Sequence, residues 1–348
     1  MFTKEFAKET FRKLVQTTKG RIALVTIAVS LVIPLILSDN YMLQLLTLIV
    51  IFTIYASSWN LLASSGQGSL GHAAFLGIGG FTSSLLAINL GVPPIIGIFV
   101  AGTLSAAIGF LIGMTCVRLK AWFLAMVTFG FSVIVETLFS HFDEYTGAIL
   151  GFRTPPLLFS SRLPFYYFAL LISVTSVAVI YFIMKSKMGL AFRAIHQNAA
   201  EARMIGINTA KYKLYAFVLS TFFAGLAGAI YVHFQGYIHI TIFSADNSFK
   251  PLMMSVIGGL GTIEGPIIGS AVMVFIDHFL KNIDPFLTVL GPLFPAVSNV
   301  GPSIRLLGLG IFLVIVVIYL PKGIASLLPK IADYFREEPK KVKKVEGN

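Results

Sequence analysis

The sequence predicts an all-α, polytopic helical membrane protein, and three observations carry that expectation. Of its 348 residues, 56% are hydrophobic and only 12% charged, at a mean hydropathy of +0.86, whereas soluble domains carry about 25% charge. The apolar residues fall in blocks of roughly 20, enough to cross roughly 30 Å of hydrocarbon. The basic residues are gathered, not spread: six Lys and Arg lie in 1–21, two at Arg118 and Lys120, six in 185–213 and seven in 322–348. A net charge of +11 arranged in this way reads as a positive-inside signal and not as a nucleic-acid footprint.

The elements follow in order. Residues 1–21 mix Lys and Arg with Phe2, Phe6, Phe11, Leu14 and Val15, a spacing that suits a short amphipathic helix on the inner leaflet. The apolar block behind it is long, with no small-residue cleavage site followed by a polar domain, so no cleavable signal peptide is expected. About ten transmembrane segments are then predicted, near 22–38, 42–63, 69–90, 93–117, 121–140, 164–184, 214–235, 249–259, 265–281 and 304–320. The eighth is too short to span as a straight helix. Residues 22–320 form the transmembrane domain, interrupted by a basic, helix-prone loop at 185–213, and 321–348 form a cytoplasmic tail. If the N-terminus is cytoplasmic, ten crossings put 64–68, 118–120, 185–213, 260–264 and the C-terminus inside. Asp39, Asp143, Glu144, Asp246 and Asp284 then fall outside. An odd number of crossings would strand a basic cluster on the wrong side.

Two glycine-rich corners interrupt the helices. Gly66-Gln67-Gly68-Ser69-Leu70-Gly71-His72 follows the second segment, and Gly258-Gly259-Leu260-Gly261-Thr262-Ile263-Glu264-Gly265 follows the eighth. Both contain G-x-G-[S/T], which suggests an internal repeat. Small residues are also dense at Gly77, Gly79 and Gly80, from Gly102 to Gly113, and at Ala224, Gly225, Ala227 and Gly228. Two readings stand for these stretches: close helix packing, or broken helices that turn backbone dipoles toward a pathway. The second makes Gly66, Gly68, Ser69, Gly71, His72, Gly259 and Gly261 candidate pathway residues.

Several chemistries lack their residues. There is no G-x-x-x-x-G-K-[S/T] phosphate loop for ATP, no His and Cys set with metal-ligand spacing, and no set of Ser, His and Asp that marks a catalytic residue. Cys116 stands alone and permits no intrachain disulfide. Among the few ionisable residues within apolar segments, most lie near segment ends. Glu136 is the one candidate for a pathway.

Four stretches carry a resemblance. They are Asn60-Leu61-Leu62 with the corner through Gly80, and Arg118-Leu119-Lys120-Ala121-Trp122-Phe123-Leu124 through Phe131. The others are Met188-Gly189-Leu190-Ala191-Phe192-Arg193-Ala194-Ile195 through Ile207, and Lys213 through Gly228 continuing to Gly258–Thr262. Pro321-Lys322-Gly323 also fits. Together they make the chain resemble the membrane permease subunits of bacterial and archaeal ABC importers for branched-chain amino acids, more narrowly the second of the two paired permeases.

The resemblance implies a multi-pass protein of the cytoplasmic (inner) membrane. It works with a second homologous permease, two cytosolic ABC ATPases that bind ATP and Mg, and an extracytoplasmic substrate-binding protein. This chain itself binds no cofactor, no metal and no nucleic acid. The loop 185–213 would be the coupling element, with Arg193, Ala194, Ala200, Glu201, Ala202 and Gly206 at the ATPase. The chain departs from the family pattern in places. It has Ala200 with Glu201 one step later where the pattern puts Glu first, Val133 and Glu136 where many relatives carry an acidic and a basic residue, and Thr146-Gly147-Ala148 in place of T-G-G. Branched-chain amino acids lead as substrate, with urea, amides or other small carboxylates as alternatives. An ion-coupled secondary carrier and an assembly subunit without its own pathway are the readings from other classes.

Overall fold

The structure is a computed structural model that describes residues 18–36, 39–119, 121–142, 147, 150–157, 161–281 and 301–327. The amphipathic reading of 1–21 and the tail at 321–348 fall mostly outside the described residues, as do Lys120, Asp143, Glu144 and Asp284. The described residues form twelve helices: α1 (Thr18–Ile36), α2 (Asn40–Ala63), α3 (His72–Asn89), α4 (Pro94–Cys116), α5 (Ala121–His141), α6 (Arg162–Lys185), α7 (Lys187–Gln197), α8 (Ala199–Met204), α9 (Thr209–Gln235), α10 (Ala245–Gly258), α11 (Glu264–Lys281) and α12 (Gly301–Tyr319). One short antiparallel pair joins β1 (Phe152–Arg153) to β2 (Tyr237–Ile238), with Phe152 opposite Ile238.

The helical membrane class stands, and each of the ten predicted segments overlaps a helix, α1 to α6 and α9 to α12. Among the described residues six helical stretches are long and apolar enough to cross: α2, α4, α5, α6, α9 and Leu307–Ser326. In α1 the apolar run from Ile22 to Ile36 is interrupted by Thr26 and Ser30 and contains Pro34. Helix α10 has 14 residues, and α11 carries Glu264, Asp277, His278 and Lys281. Helix α3 carries His72, Ser83 and Ser84, all fully buried by other helices. A helix wrapped by protein does not need an apolar surface all round, so hydropathy does not count it reliably.

Helix α9 is the centre of the fold and packs along α4, α3 and α2. Ala224, Ala227, Ala229 and Ile230 are fully buried there. The contact is made by glycine. A Cβ on Gly79 would overlap the carbonyl oxygen of Gly225, one on Gly228 that of Leu76, and one on Gly225 the side chain of Ser105. For these glycines and for Gly109, which meets Thr221, the small residues serve backbone approach. Helices α2 and α9 bury 78% and 72% of their apolar windows, whereas α5 buries 28% and Leu307–Ser326 17%. The first pair is therefore core, and the others offer faces to lipid or to another chain.

Two prolines sit inside helices and each frees a carbonyl four residues earlier, because proline has no N–H to donate. Pro34 in α1 frees the Ser30 carbonyl, and Tyr166 of α6 donates its hydroxyl there at 2.8 Å. Pro251 in α10 frees the Asn247 carbonyl, and Tyr55 of α2 donates to it at 2.9 Å. Both freed carbonyls are thus paired by a tyrosine from a neighbouring helix, which fixes where each kinked helix sits.

Candidate functional site: two glycine corners on one helix

The C-terminal half of α2 is polar and buried. Thr53, Ser57, Ser58, Asn60, Ser64 and Ser65 all lie inside. Ser58, Ser64 and Ser65 return their hydroxyls to carbonyls three or four residues back in their own helix. Such bonds pair these short polar side chains inside an apolar bundle, whereas the buried Ser57 hydroxyl has no partner among the described residues. Trp59 and Asn60, adjacent in this stretch, point to different corners.

Trp59 holds the first corner. Its Nε1–H donates to the Ser69 carbonyl at 2.8 Å. Gly66 turns the chain at φ +74°, and its N–H donates to the Ala63 carbonyl at 2.9 Å. The Leu70 N–H donates to Thr128 Oγ1 at 3.2 Å, and the Gly71 N–H to Ser69 Oγ at 3.2 Å. Gly71 lies against the α5 backbone so closely that a Cβ would overlap the Thr128 carbonyl. Gly68 has open space at the Cβ position. His72 opens α3 fully buried, with Nε2 and Ser220 Oγ 3.0 Å apart.

Asn60 holds the second corner with both ends of its amide. Its Nδ2 donates to the Thr262 carbonyl at 2.6 Å, and its Oδ1 accepts from the Gly261 N–H at 2.8 Å. Thr262 Oγ1 donates to the Gly259 carbonyl at 2.8 Å and accepts from the Gly265 N–H at 3.0 Å. Gly259 and Gly261 have φ of +129° and +71°. The turn at Gly323 packs directly on Gly259, with no room for a Cβ. That contact gives a physical reason for the closing Pro321-Lys322-Gly323 stretch.

The loop 185–213 forms a helical arm, α7 and α8, running into the start of α9. Ser186 caps α7 by accepting from the Met188 N–H at 3.2 Å. Asn198 caps α8 through the N–H groups of Ala200 and Glu201, and its Nδ2 donates to Glu201 Oε1 at 2.6 Å. Glu201 is therefore engaged within the arm. Arg193 is exposed but donates to the Met184 carbonyl at 3.3 Å. Ala202 is buried, Ala194 half-buried and Ala200 exposed, so of these alanines Ala200 presents the freest surface. Gly206 ends α8 exposed, at φ +85°. Sequence reasoning missed the exposed apolar residues of the arm: Leu190, Met204 and Ile205 are 59%, 86% and 75% exposed. The signal was present in the apolar pair Met204-Ile205 between Arg203 and Gly206.

The arm is joined to the first corner. A Cβ on Gly66 would stand 3.2 Å from His196 Cα at the end of α7. Gln67, buried, donates through Nε2 both to Ser65 Oγ and to the Lys213 carbonyl, each at 2.9 Å. Glu136 stands apart from this cluster. It is half-buried on α5, and among the described residues no hydrogen bond or ion pair to it is formed. Among the described residues no group of three His, Cys, Asp or Glu could hold a metal ion.

A buried bundle with polar corners and an exposed helical arm defines a multi-pass membrane protein of transport type. The family of permease components of branched-chain amino acid transport systems matches over residues 41–318, and the chain belongs to it. It is 27% identical to the high-affinity branched-chain amino acid permease protein LivM of Escherichia coli K12, over 89% of this chain and 76% of that protein. It is 35% identical to LivH of the same organism over a shorter stretch, 28% of this chain and 31% of that protein. A probable LivH of Methanocaldococcus jannaschii is 25% identical over 56% of this chain and 66% of that protein. No solved structure matches. The chain is thus a multi-pass permease subunit of an ABC importer.

Proposed function

We propose that this chain moves branched-chain or related hydrophobic amino acids across the inner membrane as one of two paired permeases. Two cytosolic ATPases that bind ATP and Mg drive it, and an extracytoplasmic binding protein feeds it. The chain performs no chemistry of its own, and both termini are cytoplasmic, as the basic clusters require. The observation that carries this reading is the seating of the arm against the first corner. The exposed apolar residues Leu190, Met204 and Ile205, on an arm that also carries exposed Arg193, offer an ATPase apolar and charged contacts. Movement of the arm reaches the corner through Gly66 and Gln67 and so reaches the start of α3.

The experiment is purification of the tagged chain in mild detergent, with mass spectrometry of what accompanies it. Two ATPases and a second permease in stoichiometric amounts are expected. Replacing Gly206 and Arg193 together is expected to detach or uncouple the ATPases while the chain still inserts; full uptake in that double variant refutes the coupling role. Unpartnered Glu136 is the observation that favours an ion-coupled carrier. Uptake into liposomes by the chain alone, without ATP and abolished by Glu136→Gln, would establish that second reading.

A further inference from the structure

Where α9 ends, a crevice of about 270 Å³ opens between its last turn, β2, the 3₁₀ turn Ile240–Phe243 and the start of α10. It is separate from the corners and from the arm. Its polar walls include Tyr231 and Gln235 on α9 together with Thr241 and Asn247, and Val232 and Ile242 form its apolar floor.

The hydrogen bonding of these walls is specific. Gln235 Nε2 donates to the Tyr231 hydroxyl oxygen at 3.1 Å. That bond leaves the tyrosine O–H free to donate and Gln235 Oε1 free to accept, and among the described residues neither has another partner. Asn247 is fixed in place. Its Nδ2 donates to the Thr241 and Ile242 carbonyls at 3.2 and 3.1 Å, and its Oδ1 accepts from Lys250 Nζ at 2.9 Å. Lys250 is itself paired with Asp246 at 2.9 Å. Lys250 and Asp246 thus compensate each other, and the lining is dipolar, with Tyr237 and His239 completing it. The open Tyr231 O–H stands beside the open Gln235 Oε1 acceptor.

A ligand matched to such a wall carries an acceptor and a donor on one small frame, which the carboxylate and ammonium of an amino acid supply. At about 270 Å³ the crevice lies just below the usual ligand-site range of about 300–1,000 Å³, which limits it to a small molecule. We infer that the crevice binds the zwitterionic head of a free amino acid. Tyr231 donates to the carboxylate, Gln235 Oε1 accepts from the ammonium, and an aliphatic side chain lies on Val232 and Ile242. The inference rests on the amino-acid import proposed above and names where the permease itself touches its substrate.

The test uses the complete complex of both permeases and both ATPases in nanodiscs, without the binding protein. Saturable binding of radiolabelled L-leucine is expected. Neither L-leucinamide nor 4-methylpentanoate, each lacking one charge, should displace it. Hydrogen bonds to charged groups set the scale for the variant: Tyr231→Phe with Gln235→Leu should bind leucine about tenfold weaker or worse. If that pair fails to assemble, Gln235→Ala, at an exposed position, carries the same expectation of weaker binding. Unchanged leucine affinity in an assembled variant overturns the site. So does the absence of saturable binding by a wild-type complex that still imports leucine once the binding protein is added. Absence of ATP-driven leucine uptake by the complete wild-type system would instead overturn the import reading, and the site with it.

Discussion

The two glycine corners share G-x-G-[S/T], yet they are built differently. In both, the hydroxyl of the motif accepts from a backbone N–H at the start of the next helix: Ser69 from Gly71, Thr262 from Gly265. In both, a side chain of α2 clamps the turn. The first corner, however, is buried among four elements, held by Trp59, pressed on the backbone of α5, and tied through Gln67 to the first turns of α9. The second hangs on Asn60 and on its own Thr262, with Gly261 exposed, and its other neighbour is the Gly323 turn. Similar turn chemistry thus serves two positions. The first corner lies between the arm and the core, and the second closes the α10–α11 hairpin.

Substitutions that separate the corners should fall in a clear order. Gly71→Val forces a side chain into the Thr128 carbonyl, and overpacking against backbone that cannot yield costs about 3 kcal/mol or more. The yield of monodisperse protein from membranes should collapse. Trp59→Phe leaves the buried Ser69 carbonyl unpaired and opens a small cavity, together about 2–3 kcal/mol. A thermal melt in detergent should show it as a marked drop. Asn60→Leu removes two bonds from the second corner, but water reaches that turn, so a loss of about 1–2 kcal/mol is expected. A larger drop for Asn60→Leu than for Trp59→Phe would invert the ranking of the two corners. Gly68→Ala has open space and φ outside the left-handed region, and its melt should lie within about 0.5 kcal/mol of wild type.

Much of this was legible in the sequence, for physical reasons that can be named. Apolar blocks and clustered Lys and Arg predict the membrane class because the bilayer sorts residues by polarity regardless of tertiary detail. Gly66 and Gly261 marked turns because positive φ favours glycine. The helical arm was legible as a basic, helix-prone stretch between two apolar segments, and Ser186 and Asn198 prove to cap its two helices. What stayed hidden depends on a partner far along the chain. Gly79 and Gly225 become packing glycines only when α3 meets α9. Tyr55 and Tyr166 look like ordinary aromatics until Pro251 and Pro34 leave carbonyls beside them. Ala202 was read as a docking surface and is buried within the arm.

The central claim is that the arm acts on the core through the first corner. It is tested most directly by Gln67→Met, which keeps the side chain's length and removes both donated bonds. ATP hydrolysed per leucine imported should be measured in proteoliposomes holding the complete complex and its binding protein. Site-to-site coupling of about 1–3 kcal/mol corresponds to a factor of about 5–150. The ratio is therefore expected to rise at least about fivefold, with the ATPases still bound and hydrolysing. An unchanged ratio in a stably assembled variant would contradict the account.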